Sequence, residues 1–199
     1  MCVGKTPLAR VLAARLHARY IADLEDNPYL KDFYAAPPGA AFRAQMYFLL
    51  ARYRQLRDLA LEHDPRVVVA DYLFEKDRIF ASLCLSNDEL KIYELYYDWF
   101  RPQLPTPELV IYLQANLEVL KQRIAKRAAL AERDLADEFL EEIIHAYEHF
   151  FFHYTTSSLL VIDTSEIDFV ERNEDLQELL RRLSQPVKGT QYFLPLGPA

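Results

Sequence analysis

No run of about 18 apolar residues occurs in the chain, so no membrane-spanning helix is expected. No basic block exceeds two or three residues, and the formal net charge is −7. Wrapping a nucleic acid polymer needs a clustered positive footprint, so that class is disfavoured. Cys2 and Cys84 are the only cysteines and lack metal-type spacing, which suggests free thiols in a reducing cytoplasm. After Met1 no basic segment leads into an apolar stretch, so no signal peptide is visible and a cytoplasmic protein without membrane association is expected. Internal repeats and low-complexity tracts are absent. What remains has the composition of an average soluble protein, 51% hydrophobic and 27% charged, in 199 residues that fit one domain.

Apolar spacing reads as helices alternating with short β-rich runs. Leu8, Val11, Leu12 and Leu16 share one face of a helix over 4–18, and 20–24 is a strand candidate. Asn27-Pro28 and Pro37-Pro38-Gly39 bracket a turn-rich connector before a long helix over 40–62. Strands follow at 67–70, 109–113 and 159–162, and helices at 88–100, 117–127, within 132–155 and at 173–183, the last with Asn173 as N-cap. Short apolar strands separated by helices imply crossover connections and a parallel sheet covered on both faces. The domain is expected to span 1–185, with a surface tail over 186–199 rich in Pro, Gly and aromatics.

Gly4-Lys5-Thr6 at the head of a helix is the back half of the phosphate-loop pattern GxxxxGK[ST]. In that loop backbone N–H groups and the helix N-terminus surround phosphate oxygens, the lysine meets the outer phosphates, and the hydroxyl holds magnesium. Pro7 fits a first helical turn. The triplet alone is a weak signal, and a helix start with an accidental lysine is the bland alternative. His145, His149 and His153 recur every four residues on one helical stripe; without a cysteine or a clear carboxylate partner this favours a packing or interface face over a metal site.

More specific is Glu25-Asp26-Asn27-Pro28-Tyr29-Leu30-Lys31-Asp32-Phe33-Tyr34. It closely resembles the ENPFLxxFY segment of bacterial deoxyadenosine and deoxyguanosine kinases. Blocks at 42–53 (FRAQMYFLLARY), 70–81 (ADYLFEKDRIFA), 123–127 (RIAKR) with Glu132, and 164–170 (TSEIDFV) agree in order and spacing, so the resemblance covers nearly the whole chain. It implies a P-loop three-layer α/β/α fold and ATP-dependent, magnesium-dependent phosphorylation of a deoxynucleoside 5′-hydroxyl in salvage. A purine acceptor and a homodimer are expected.

At matching positions the resemblance implies that Gln45 reads the base edge through an amide that both donates and accepts. It implies that Arg52 and Asp77 form a charged pair beside the base, that Phe48 and Phe80 pack near the base plane, and that Tyr34 and Glu132 hold the sugar 3′-hydroxyl. Asp71 matches an acidic residue near magnesium and the 5′-oxygen, and Arg123 and Arg127 match lid arginines that gather charge on the transferred phosphoryl group. Bland rivals remain at this stage. Asp71 can cap the next segment, Arg52 can be a solvated or salt-bridged arginine, and the phenylalanines can be core.

Three departures stand out. The family's first strand and leading glycine would precede Met1. A central strand's loss leaves buried backbone groups unpaired at roughly 1–3 kcal/mol each, against a total stability of about 5–15 kcal/mol. A misassigned start or a fragment is therefore expected, checked by an in-frame upstream stretch reading as strand and glycine. Next, the family's general-base glutamate falls at Ala22 when counted back from Asn27. Asp23 is adjacent, although strand alternation would turn it the other way; it is the candidate base, with Asp71 able to assist. Ala129 stands where the lid usually has an arginine, and Arg133 is a nearby substitute. These departures keep two alternatives open: a catalytically impaired nucleotide-binding or dimerisation module of the same fold, and a P-loop kinase for another small nucleoside or nucleotide.

Overall fold

The computed structural model describes residues 3–24, 26–30, 33, 39–61, 66–127 and 137–194. They cluster into two compact units, one of 1–20 with 106–199 and one of 21–105. The helices are α1 (Lys5–Arg15), α2 (Ala40–Leu61), α3 (Lys76–Cys84), α4 (Asn87–Phe100), α5 (Leu117–Arg127), α6 (Asp137–Phe152) and α7 (Asn173–Leu183). The strands are β1 (Arg19–Ile21), β2 (Val68–Ala70), β3 (Leu109–Gln114), β4 (Ser158–Asp163) and β5 (Thr190–Phe193).

In the first unit β3, β4 and β5 form a parallel sheet with β4 in the middle, Leu109 opposite Ser158 and Leu159 opposite Thr190. Parallel neighbours need crossovers, which α5 with α6 and then α7 supply. Leu159, Leu160, Val161 and Ile162 are all buried, the continuous apolar run expected of a strand covered on both faces. Around them pack Val3, Leu8, Leu113, Leu120, Ile167, Phe169 and Leu179. The Tyr112 ring stacks on Phe151 of α6 with centroids 4.1 Å apart.

Helix α1 is shorter than its apolar spacing suggests. His17 takes a left-handed φ of 50°, and Ala18 N–H returns to the Ala13 carbonyl at 2.8 Å, ending the helix at Arg15. Asn173 is the first helical residue of α7, not its cap: the cap position belongs to Arg172, and the Asp175 carboxylate accepts the Asp168 N–H at 2.7 Å. Residues 190–193, within the stretch read as a surface tail, add the edge strand β5, with Thr190 and Tyr192 exposed.

In the second unit α2, α3 and α4 enclose Leu49, Tyr53, Phe74, Ala81, Tyr93, Tyr97, Phe100 and Leu104. Tyr53 stacks on Phe100 at 4.1 Å and Phe74 on Tyr97 at 5.3 Å, so aromatic area makes most of this core. Strands β1 and β2 form a two-stranded sheet. β1 ends at Ile21, earlier than the expected strand over 20–24. Helix α4 begins with a capping box, Ser86 accepting the Glu89 N–H while the Glu89 carboxylate accepts the Ser86 N–H. Helix α3 lies in a stretch to which the sequence reading assigns no element.

Candidate active site

In the second unit, carboxylates stand where the two paired strands end. Asp71 directly follows β2, and its backbone N–H donates to the Ile21 carbonyl at 3.1 Å, the last backbone bond of that edge. Asp23 follows β1 by two residues, and its N–H donates to Asp71 Oδ1 at 2.5 Å. Because the strand stops at Ile21, the alternation that would turn Asp23 away no longer applies. Its side chain reaches the same cluster as Asp71's neighbours, while Ala22 contributes only a carbonyl, which accepts from Gln55 at 3.3 Å.

Helix α2 brings Gln45, Phe48 and Arg52 to one face at spacings of three, four and seven residues. Gln45 and Arg52 are 5% and 3% exposed, so Arg52 is not a solvated arginine but a salt-bridged one. Arg52 bridges two acids. Its Nε and Nη2 donate to Asp23 Oδ1 at 3.0 and 2.7 Å, and its Nη1 donates to Asp77 Oδ1. The guanidinium carbon lies 4.6 Å from the Phe48 ring centroid and 5.7 Å from that of Tyr72. Burial opposes the charge on Arg52, but Asp77 and Asp23 outweigh it and hold the guanidinium protonated.

Asp77 is buried in the first turn of α3, and burial pushes its carboxyl up to about 6 against the pull of Arg52. Among the described residues its Oδ2 has no hydrogen-bond partner. Asp23 differs: burial pushes it up, yet Lys76 and Arg52 prevail and hold it below the ordinary carboxylate range. Lys76 Nζ donates to Asp23 Oδ2 and lies 6.0 Å from the Phe80 ring centroid. The sequence reading missed Lys76. The signal in the sequence was a lysine flanked by two acidic residues, Glu75 and Asp77. Asn27 accepts the Tyr29 N–H at 2.9 Å and donates to the Ala44 carbonyl at 3.0 Å, fixing the NP turn against α2.

In the first unit Gly4 caps α1 with φ 86°, and its carbonyl accepts the Leu8 N–H at 3.1 Å. A Cβ added there would run into the buried ring of Phe169, so glycine is required for both conformation and space. Lys5 and Thr6 occupy the first turn of α1. Arg123 of α5 is anchored on the turn after β4, its Nη1 donating to Thr164 Oγ1 at 2.9 Å and its Nη2 to the Thr164 and Ile167 carbonyls at 2.7 and 2.9 Å. Arg127 ends α5, and its side chain lies outside the described residues, as do Tyr34, Ala129, Glu132 and Arg133. His149 and His153 are exposed with ring centroids 4.6 Å apart, and among the described residues no group of three or more His, Cys, Asp or Glu is placed to hold a metal. No helix, among the described residues, is long and apolar enough to cross a membrane.

The sequence profile of the deoxynucleoside kinase family matches residues 1–188. The chain belongs to that family. It is 33% identical to the deoxyguanosine kinase of Bacillus subtilis (strain 168), over 92% of this chain and 91% of that one. It is 24% identical to the deoxyadenosine/deoxycytidine kinase of the same organism, over 95% and 90%. The structure of deoxyadenosine kinase from M. mycoides with bound dATP superposes with a TM-score of 0.77 at 21% identity, covering 93% of this chain and 95% of that one. That likeness shows the P-loop kinase fold, a three-layer α/β/α architecture, as the sequence implies. As a deoxynucleoside kinase the chain is a phosphotransferase that phosphorylates nucleosides in salvage.

Proposed function

We propose that this kinase transfers the γ-phosphoryl group of ATP to the 5′-hydroxyl of a purine deoxynucleoside. The observation that carries the reading is the buried Arg52–Asp77 pair on the face of α2 that also holds Gln45. Side by side these groups offer donors and acceptors suited to a base edge. Phe48 packs on the Arg52 guanidinium and suits the base plane, while Phe80 is assigned to the base plane, and Tyr34 and Glu132 to the sugar, by resemblance. The deoxyguanosine and deoxyadenosine kinases among its relatives favour a purine.

In the proposed reaction the 5′-oxygen forms a bond to the γ-phosphorus as its proton passes to Asp23, and the bond to the ADP leaving oxygen breaks. Asp71 orients Asp23 by accepting the Asp23 backbone N–H at its Oδ1. Gly4, Lys5 and Thr6 would grip the donor phosphates at the N-terminus of α1. Thr6 and Asp71 are each assigned to magnesium by resemblance; both carry oxygen, the hard donor this ion prefers, and the ion would neutralise charge on the phosphates. Arg123 and Arg127 would complete the positive surroundings of the transferred group.

A homodimer in the cytoplasm is part of the same proposal. On α4, Ile92, Leu95, Tyr96 and Trp99 form an exposed apolar row at helical spacing, opposite the buried Tyr93, Tyr97 and Phe100. This row and, separately, the helix carrying His149 are candidate contact surfaces.

The test is ATP consumption by the purified chain with deoxyadenosine, deoxyguanosine, deoxycytidine and thymidine. Turnover that is fastest with a purine supports the reading. Binding of ATP and nucleosides without turnover contradicts it and indicates a non-catalytic nucleotide-binding protein.

A further inference from the structure

Asp23 has one carboxylate oxygen already committed. Oδ1 accepts from Arg52 Nε, from Arg52 Nη2 and from the Leu24 N–H at 2.9 Å. The other oxygen, Oδ2, is met by Lys76. The two partners come from different elements, Arg52 from α2 and Lys76 from the first position of α3, with Lys76 53 residues from Asp23 in sequence.

Lys76 is an unfavourable choice by local rules. A cation in the first helical turn faces the positive end of the helix dipole, which disfavours it. No side chain caps α3, whose N-cap is Glu75. The ammonium is also half-buried, at 22% exposure. Residues that break local preference without a compensating local gain belong to sites where function sets the sequence. Here the compensation is long-range: the ammonium lies on Asp23 Oδ2, with the Phe80 ring beneath it.

We infer that Lys76 is a positioning residue for phosphoryl transfer, fixing Asp23 Oδ2 as the oxygen that accepts the substrate hydroxyl proton. The inference rests on the reading of Asp23 as the base. With Oδ1 held by three donors, the carboxylate has one rotational degree of freedom left, and the Lys76 contact removes it. A compact ammonium leaves lone pairs of Oδ2 open to a hydroxyl. Loss of Lys76 therefore leaves nucleoside binding in place but loosens the reacting geometry, and a displacement of about 1 Å costs on the order of 100-fold in rate.

The experiment measures kcat and the KM for deoxyguanosine and for ATP in the full chain carrying Lys76→Met, Lys76→Arg, Asp23→Asn, or Lys76→Met with Asp23→Asn. Lys76→Met is expected to lower kcat by about 10- to 100-fold with both KM values within about threefold, and Lys76→Arg, whose fork covers more of the carboxylate, to recover only part of the loss. The double variant is expected to be no slower than Asp23→Asn alone, because both changes disable one unit. If Lys76→Met does not fold, Lys76→Gln is read in the same way. A Lys76→Met kcat within twofold of the parent, with Asp23→Asn collapsed, overturns the role of Lys76 and leaves the Asp23 reading intact. Parent-like turnover by Asp23→Asn overturns the base assignment, and the role of Lys76 with it.

Discussion

Arg52 donates from Nη1 to the carboxylate of Asp77, and the two side chains are only 4% and 2% exposed. Removing one partner strands an uncompensated charge, which costs about 3–5 kcal/mol in such pairs. Arg52→Ala should lower unfolding stability by that order, because it releases Asp23 as well as Asp77. Denaturant titration of the two proteins at neutral pH measures it. A loss under about 1 kcal/mol would show that the pair is solvated.

The same pair sets a pH dependence. Burial raises Asp77 from its ordinary value to about 6, so the folded state holds this proton more tightly than the unfolded chain. Its contribution to stability is therefore most favourable below the unfolded value and declines as pH rises through about 6. Asp23 is held low and contributes the opposite way: stability present above the unfolded carboxylate value is lost as pH falls through its depressed one. Asp77→Asn should thus remove a decline with rising pH between the unfolded value and about 6, read from stability curves of parent and variant. Parallel curves across that window would refute the raised Asp77.

Gly4→Ala should impair donor binding. Its left-handed φ of 86° disfavours a side chain, and the ring of Phe169 occupies the space a Cβ needs. The expected outcome is a KM for ATP raised by about tenfold or more, roughly the 1–3 kcal/mol of an imposed strained conformation. Phe169→Ala in the same chain should relieve the steric part and leave the conformational part. An unchanged KM in Gly4→Ala would deny the phosphate-loop assignment.

These tests bear on how much was legible beforehand. Gln45, Arg52 and Asp77 could be picked out because family-like blocks fix their spacing, and all three are buried. Helix α3 escaped because two of its inward positions, Asp77 and the flanking Glu75, are charged, which breaks the apolar periodicity. Strand β5 escaped because it is an edge strand with alternate residues exposed, among turn-forming residues. Arg123 is matched to the lid arginines by resemblance alone. Its three hydrogen bonds to the Thr164–Ile167 turn depend on contacts more than forty residues away, which spacing alone does not reveal. The cluster at Asp23 was only half visible, since the strand's early end at Ile21 is what lets the side chain turn inward.

Ser86→Ala offers a structural control. The capping box at α4 is exposed and outside the proposed chemistry, so its loss should cost about 1 kcal/mol of stability. Turnover at a temperature where both proteins are folded should be equal. Thermal melts and initial rates on the same preparations check the two halves of this expectation.

Gln45→Leu should discriminate by substrate. A buried amide reading a base edge contributes about 1–3 kcal/mol, so kcat/KM for deoxyguanosine should fall roughly 5- to 150-fold while the KM for ATP stays near the parent's. Equal losses for every deoxynucleoside would indicate a packing defect.

The most direct measurement follows the transferred phosphorus. The purified chain is supplied with ATP, magnesium and deoxyguanosine, and the products are resolved by phosphorus NMR. The account predicts deoxyguanosine 5′-monophosphate and ADP in equal amounts, with formation abolished in Asp23→Asn. Inorganic phosphate without nucleotide product, or no monophosphate from any of the four deoxynucleosides, would contradict it.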